Sequence, residues 1–193
     1  MQDKPALQQR LSRDLASLVS SLRTPVVIPF LRAFFTTMAR EWKQIEALRL
    51  DKYLYLIRQY VNASFTFMSR NDWTKSLVEQ WNEVAEQSPL EPQDMRIPNG
   101  LRYHVLDVWV DEMERVSGST WQEEEMKDIL EMLVLPIEKL AREGKLKVLR
   151  NAAKECLADS RLRSWRGQQH EPMEETPEDD DDEEAEWGGI ADD

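Results

Sequence analysis

PFLRAFFTTMAREWKQIEALRLDKYLYLIRQYVNASFTFMS, running from Pro29 to Ser69, is the stretch that decides the fold. In its first part Phe30, Leu31, Phe34, Phe35, Met38 and Trp42 recur at helical spacing, and in its second part Leu50, Tyr53, Leu54, Ile57, Val61 and Phe65 do the same. Each stripe is wider than the face that a surface helix turns to its core. Two such helices in succession need cover on two sides, which favours stacked layers of helices over a closed bundle.

Outward from this stretch the same period continues. Upstream, a helix opening after Asp3 with Pro5 in its first turn places Leu7, Leu11, Leu15, Leu18 and Leu22 on one face, and Pro25 ends it or starts the next. Downstream, Asn71 or Asp72 can cap a helix carrying Trp73, Leu77, Trp81 and Val84. The three prolines between Ser88 and Gly100 mark one long loop, after which Leu101, Val105, Val108, Trp109 and Met113 resume the helical pattern. Ser117 and Gly118 stop that helix. Thr120 with Glu123 has capping-box spacing for the next, through Met126, Ile129, Leu130 and Leu133, with Pro136 as a break or kink and Gly144 as its end. A last helix turns Leu146, Leu149, Ala153 and Cys156 inward. With six glycines and no alternating strand pattern, the expected fold is all-α: antiparallel helical pairs in a HEAT-like stack or a layered bundle.

Charge divides the chain. Residues 167–193 hold 13 of the 37 acidic side chains and none of the 25 Lys and Arg, so residues 1–166 are close to neutral. The expectation is a helical domain over 1–166 and a disordered acidic tail over 167–193 that either is a solubilising tether or shields a basic patch or holds a basic partner. Within the domain the first 60 residues carry ten Lys or Arg against five acids, whereas Glu79 to Glu131 holds fourteen acids and four bases. Such a domain can offer one surface to a polyanion and another to a basic protein.

Several chemistries find no residues. One cysteine excludes an internal disulfide, and with only His104 and His170 there is no Cys/His set for zinc. Glycine-rich phosphate loops, nucleophile elbows and His-Glu-x-x-His are absent. No apolar run approaches the ~20 residues of a membrane span, so a soluble intracellular protein without cofactor or small-molecule substrate is expected. Asp107, Asp111 and Glu114 share a helix face with His104 and could seat a cation, although an acidic ladder of this kind is ordinarily solvated surface.

Two patterns point to a binding protein. Arg49, Lys52 and Arg58 can ride the outer side of a helix whose other side is apolar, and Lys147, Arg150, Lys154 and Arg161 stand three, seven and fourteen residues apart as a basic ridge, with Arg163 and Arg166 beyond. Cations arrayed on a helical scaffold suit a phosphate backbone. Between them Arg102, Tyr103, His104, Asp107, Asp111 and Glu114 form a candidate partner-binding face. Ordinary solvated helix faces give the same spacings.

Four separated motifs carry a resemblance. Asp3-Lys4-Pro5 opens a Leu-rich helix; Arg40-Glu41-Trp42 is followed by Leu48-Arg49-Leu50-Asp51-Lys52-Tyr53; Pro98-Asn99-Gly100-Leu101-Arg102-Tyr103-His104 runs into Asp111-Glu112; Leu135-Pro136 and Leu140-Ala141 are weaker late matches. In this order, over Asp3 to Leu162, the chain resembles the eukaryotic nucleolar ribosomal RNA-processing protein one family. The resemblance implies a non-enzymatic nucleolar assembly factor for precursor rRNA processing and large-subunit biogenesis, partnered by pre-rRNA, other assembly factors and basic ribosomal proteins. In the family further helices normally precede Asp-Lys-Pro, so the chain looks like a member lacking that part, which would leave the leucine face of its first helix partly uncovered. It also ends in acid where many members end in lysine. A helical adaptor that binds basic peptides without touching RNA is the alternative, and a metal-dependent hydrolase on Asp107 and Asp111 a more distant one.

Overall fold

The computed structural model describes residues 5–167, which form eight α-helices and no strand. The expectations for the acidic tail from residue 168 onward lie outside the described residues. The helices are α1 (Pro5–Ser21), α2 (Thr24–Glu41), α3 (Leu50–Arg70), α4 (Lys75–Gln87), α5 (Asn99–Ser117), α6 (Glu124–Glu143), α7 (Lys147–Leu157) and α8 (Ser160–Trp165). They lie in two rows: α1, α3, α5 and α7 pack in that order in one, and α2, α4 and α6 in the other. Alternate helices share a row because each connection crosses from one row to the other. This is the geometry of stacked helical pairs, as the two broad stripes required.

The core fills the seam between the rows. Phe35 of α2, Phe65 of α3, Trp81 of α4 and Trp109 of α5 are at most 1% exposed, with Phe35–Trp81 ring centroids 5.6 Å apart, Phe65–Trp109 5.3 Å and Trp81–Trp109 5.9 Å. Edge-to-face and offset contacts of this kind add to what burial itself contributes. Phe34 stacks on Tyr60 at 3.6 Å, which closes the wide stripe of α2 against α3. Trp42, half-buried, lays its ring against Gly100, where a Cβ would stand 3.2 Å from Cζ2.

Local details depart from the sequence expectation. Pro25 does start α2, one of the two roles expected of it, whereas Pro136, expected to break or kink its helix, is accommodated inside α6 without ending it, as Pro29 is inside α2. The residue before α4 is Thr74, while Asn71 turns its amide back to the Phe67 carbonyl at 2.8 Å and Asp72 and Trp73 take left-handed φ of 52° and 48°. The Thr120–Glu123 box does not form. Residues Gly118–Gln122 make a 3-10 turn that buries Trp121, whose Nε1 donates to the Met113 carbonyl at 3.0 Å. Gly144 does end α6, and the position requires glycine because a Cβ there would sit 2.6 Å from the Leu140 oxygen.

The leucine face of α1 is not its packing face. Ser12, Ala16 and Val19 lie buried, and Leu7, Leu11, Leu15 and Leu18 are 61%, 57%, 37% and 46% exposed. Small residues let the backbone of α1 approach α3 closely, and that rotation turns the longer side chains outward. Only Leu22 reaches the core.

Candidate nucleic-acid interface

Which of the candidate cations are available depends on what α5 places beside them. Glu112 occupies the inward register of α5, in step with Val105, Trp109 and Val116, and is fully buried. A buried carboxylate requires partners. Arg58 Nε of α3 donates to its Oε1 at 2.5 Å, Asn62 Nδ2 to its Oε2 at 2.8 Å, and Arg115 closes the set at 3.3 Å. Arg58 also reaches Asp111 at 3.1 Å. Its guanidinium therefore staples α3 to α5.

Arg161 completes the same network from the other side. The chain turns at Ala158–Asp159, Asp159 accepts from the Arg161 backbone N–H at 2.8 Å, and α8 begins in a new direction. The Arg161 side chain then meets Asp159 at 2.8 Å, Glu114 at 2.8 Å and Asp111 at 2.9 Å. These charge-assisted bonds, Asp159 first, hold its pKa above the ordinary arginine value and that of Asp159 below the ordinary carboxylate range. Arg166 is likewise committed, to Glu131 at 2.8 Å and Glu138 at 2.9 Å. Arg150 donates to the Gly144 carbonyl at 2.8 Å, satisfying the C-terminal end of α6.

The ridge expected as one continuous row is thus interrupted: Arg150, Arg161 and Arg166 are held by the fold. Lys147 and Lys154 stand exposed on α7 without an acidic partner among the described residues, and Arg163, half-buried on α8, has none either. At the opposite end of the stack Arg49 pairs with Glu46 at 3.3 Å, and Lys52 lines a groove beside α1.

Of the expected partner-binding face Arg102 alone is buried; Tyr103, His104 and Asp111 are half-buried, and Asp107 and Glu114 are exposed. Arg102 is 1% exposed, and its guanidinium bonds the carbonyls of Glu91 (2.6 Å), Asp94 (2.8 Å) and Ile97. It pins the proline-rich loop between α4 and α5 rather than facing a partner, and burial lowers its pKa. His104 Nε2 lies 2.7 Å from the Leu54 carbonyl; since a carbonyl only accepts, this nitrogen carries the proton. Burial lowers the His104 pKa, partly offset by that bond and by Asp107. Tyr103 is half-buried and Asp107 is exposed without an ion pair among the described residues. Asp111 and Glu114 are taken by arginines and His104 Nε2 by a carbonyl, which leaves Asp107 as the one member of the ladder without an ion pair among the described residues. Among the described residues no group of three or more His, Cys, Asp or Glu could hold a metal ion.

Cys156 is half-buried, its thiol donates to the Leu106 carbonyl at 3.4 Å, and burial pushes its pKa up to about 12. Such a thiol is a packing group rather than a nucleophile. No described helix is long and apolar enough to cross a membrane.

The residues missed from sequence are Glu112, Asn62 and Asp159, which organise this network. The signal for Glu112 was present: a carboxylate in the register of an apolar stripe is either buried with partners or a break in the helix. Two of the quoted motifs make contacts on α5 as well: Trp42, in the turn after α2, lies on Gly100, and Asp111-Glu112 pair with Arg58 of α3.

Comparison with known sequences places the chain in a family. Residues 1–190 match the family described as nucleolar protein, Nop52. The human ribosomal RNA processing protein 1 homolog B is 39% identical over 119 residues, 61% of this chain and 16% of that protein. The human homolog A is 35% identical over 61% of this chain and 26% of its own length, and the Drosophila melanogaster homolog 31% over 61% and 17%. The chain spans about a sixth to a quarter of the length of these relatives.

Proposed function

Because the chain belongs to the Nop52 family of nucleolar proteins, we propose that it is a helical scaffold in precursor rRNA processing and large-subunit assembly, and that it touches pre-rRNA along the outer edge of α7 and α8. The relatives named for ribosomal RNA processing support the pathway. The observation that carries the contact is selective neutralisation: the fold absorbs Arg58, Arg161 and Arg166 into ion pairs but leaves Lys147, Lys154 and Arg163 without acidic partners among the described residues. Unpaired cations on a rigid helix release counterions from a phosphate backbone without first breaking an internal bond. The role needs no catalytic group.

The test is the salt dependence of RNA binding. Each neutralised phosphate contributes roughly 0.7 to the log–log slope for a single strand, so the combined change Lys147→Gln, Lys154→Gln, Arg163→Gln is expected to flatten it by about 2. An unchanged slope with an unchanged melting point would remove this edge from the interface. The adaptor reading retains one observation in its favour, the exposed run Glu123-Glu124-Glu125 at the start of α6. It would gain if binding to basic proteins survived where RNA binding was absent in the parent.

A further inference from the structure

A recess of about 410 Å³ opens between the C-terminal halves of α1 and α3, at the opposite end of the row from α7. Small residues, Ala16 and Ser20 of α1 and Ala63 of α3, line it beside the apolar Leu22 and Phe67. Side chains this short leave space where two helices would otherwise close on each other. No acidic side chain lines the recess. Its two guanidiniums are Arg13, which donates to the uncharged Tyr55 hydroxyl at 3.0 Å, and Arg70, which is exposed and makes no side-chain hydrogen bond or ion pair among the described residues. Arg23, next to the lining residues Leu22 and Thr24, is exposed and equally unpaired there. Glu112, which the lining residue Asn62 touches, is already met by Arg58 and Arg115, so it does not neutralise these three. The Gln59 carboxamide lines the middle of the recess and makes no hydrogen bond among the described residues.

The positive charge is spread along the seam rather than focused. Arg13 bonds at the level of Tyr55, and from Tyr55 to Arg70 is about 22 Å of helix. One phosphate or one carboxylate cannot meet both ends. A fitting ligand repeats its negative charge along a line, lays apolar surface on Leu22 and Phe67, and offers hydrogen-bonding edges to the Gln59 amide. Single-stranded RNA does all three, through its phosphates, base faces and base edges. A duplex hides its base faces in its own stack, and a run of carboxylates brings no flat apolar group between its charges. We propose that this recess binds a short single-stranded stretch of RNA, with an unpaired base on the Leu22 and Phe67 wall, its edge toward Gln59, and the flanking phosphates toward Arg13, Arg23 and Arg70. This rests on the reading of the chain as an RNA-contacting scaffold and adds a second contact, of a different kind from the α7 edge.

The experiment is NMR of the full chain titrated at low salt with an oligouridylate of about ten nucleotides. The Gln59 side-chain amide and the Ala63 and Val19 methyls are expected to shift with the strand, and to need roughly tenfold more uridine monophosphate, or more of the same strand paired with oligoadenylate, for the same shift. When Lys147→Gln, Lys154→Gln and Arg163→Gln remove the α7 edge, strand binding persists. Adding Arg23→Gln and Arg70→Gln to that variant lowers the log–log salt slope by about 1.4, two phosphates at roughly 0.7 each. Both arginines are exposed and unbonded, so the melting point should hold. Shifts confined to α7 and α8 overturn the recess and leave the RNA reading standing, whereas no strand binding at all overturns both. Equal shifts with the monophosphate, with the duplex or with an acidic peptide of the sequence Glu171–Asp193 also overturn the proposal, since each would make the occupant something other than an unpaired strand.

Discussion

At one end of the stack α8 folds back and buries Leu162 and Trp165 against the turn that carries Trp121, with Trp121–Trp165 centroids 6.1 Å apart and Trp73–Trp121 4.9 Å. At the other, α1 rests on α3 through Ser12, Ala16 and Val19 and keeps four leucines substantially in solvent. Both ends are helical and both carry apolar side chains. What separates them is which side chains face inward: large rings locked by arginines at the closed end, small residues at the open one. A helix can therefore be well seated and still present an apolar surface, and sequence periodicity alone does not tell the two situations apart.

The comparison breaks first at the closed end. Trp165→Ala removes a buried aromatic, a change that ordinarily costs about 3 to 5 kcal/mol. Thermal unfolding should then shift down by roughly 10 °C; a shift of a degree or two would mean that Trp165 closes nothing. Arg161→Gln is the next largest. Its side chain is 32% exposed, so solvent screening limits the effect to about 1 kcal/mol despite three carboxylate partners, and added salt is expected to shrink the difference between variant and parent.

His104 in the middle of the stack gives a smaller, pH-dependent effect. Its folded pKa lies below the free value of about 6.5. The unfolded chain therefore takes up a proton first as pH falls, and the stability due to the neutral ring is fully present above about pH 6.5 and lost as pH drops through the folded value. His104→Gln keeps a donor for the Leu54 carbonyl and is expected to change stability by less than about 1 kcal/mol at pH 7.5. It should also flatten the decline below pH 6.5, and an unaltered pH profile would assign that decline to other groups. Smallest of all is the pair Leu11→Gln and Leu15→Gln at the open end. Surface positions of this kind change stability by about 0.5 kcal/mol or less, and binding of an apolar dye should fall. A strongly lowered melting point would show that these leucines are packed after all.

The helices themselves were legible because period and punctuation agreed: α5 runs from the Pro-Asn-Gly turn to Ser117 as its apolar positions require, and Gly144 closes α6. The broad stripes of α2 and α3 correctly demanded two rows. The site was less legible, and for a definite reason. Spacing placed Arg161 fourteen residues beyond Lys147 on one ridge, but an Asp159 cap redirects the chain between them, so i+14 arithmetic no longer applies. Arg58 and Arg102 looked like surface cations because sequence does not show a carboxylate or a set of carbonyls waiting on another element. Only the contact between α3 and α5 turns Arg58 into a half-buried ion-pair residue.

The pin made by Arg102 has a consequence for digestion by proteases. The loop between α4 and α5 carries three prolines, and its Arg96 side chain is 91% exposed, which would ordinarily mark it as the first site for trypsin. Yet the carbonyls of Glu91, Asp94 and Ile97 all end on one guanidinium rooted in α5, so the segment cannot peel away residue by residue. Cleavage after Arg96 has to wait until Arg102 lets go, which requires the first turn of α5 to open. Under brief digestion this loop is expected to outlast the exposed helix ends, and the rate at which it is cut reports how often the middle of the stack breathes.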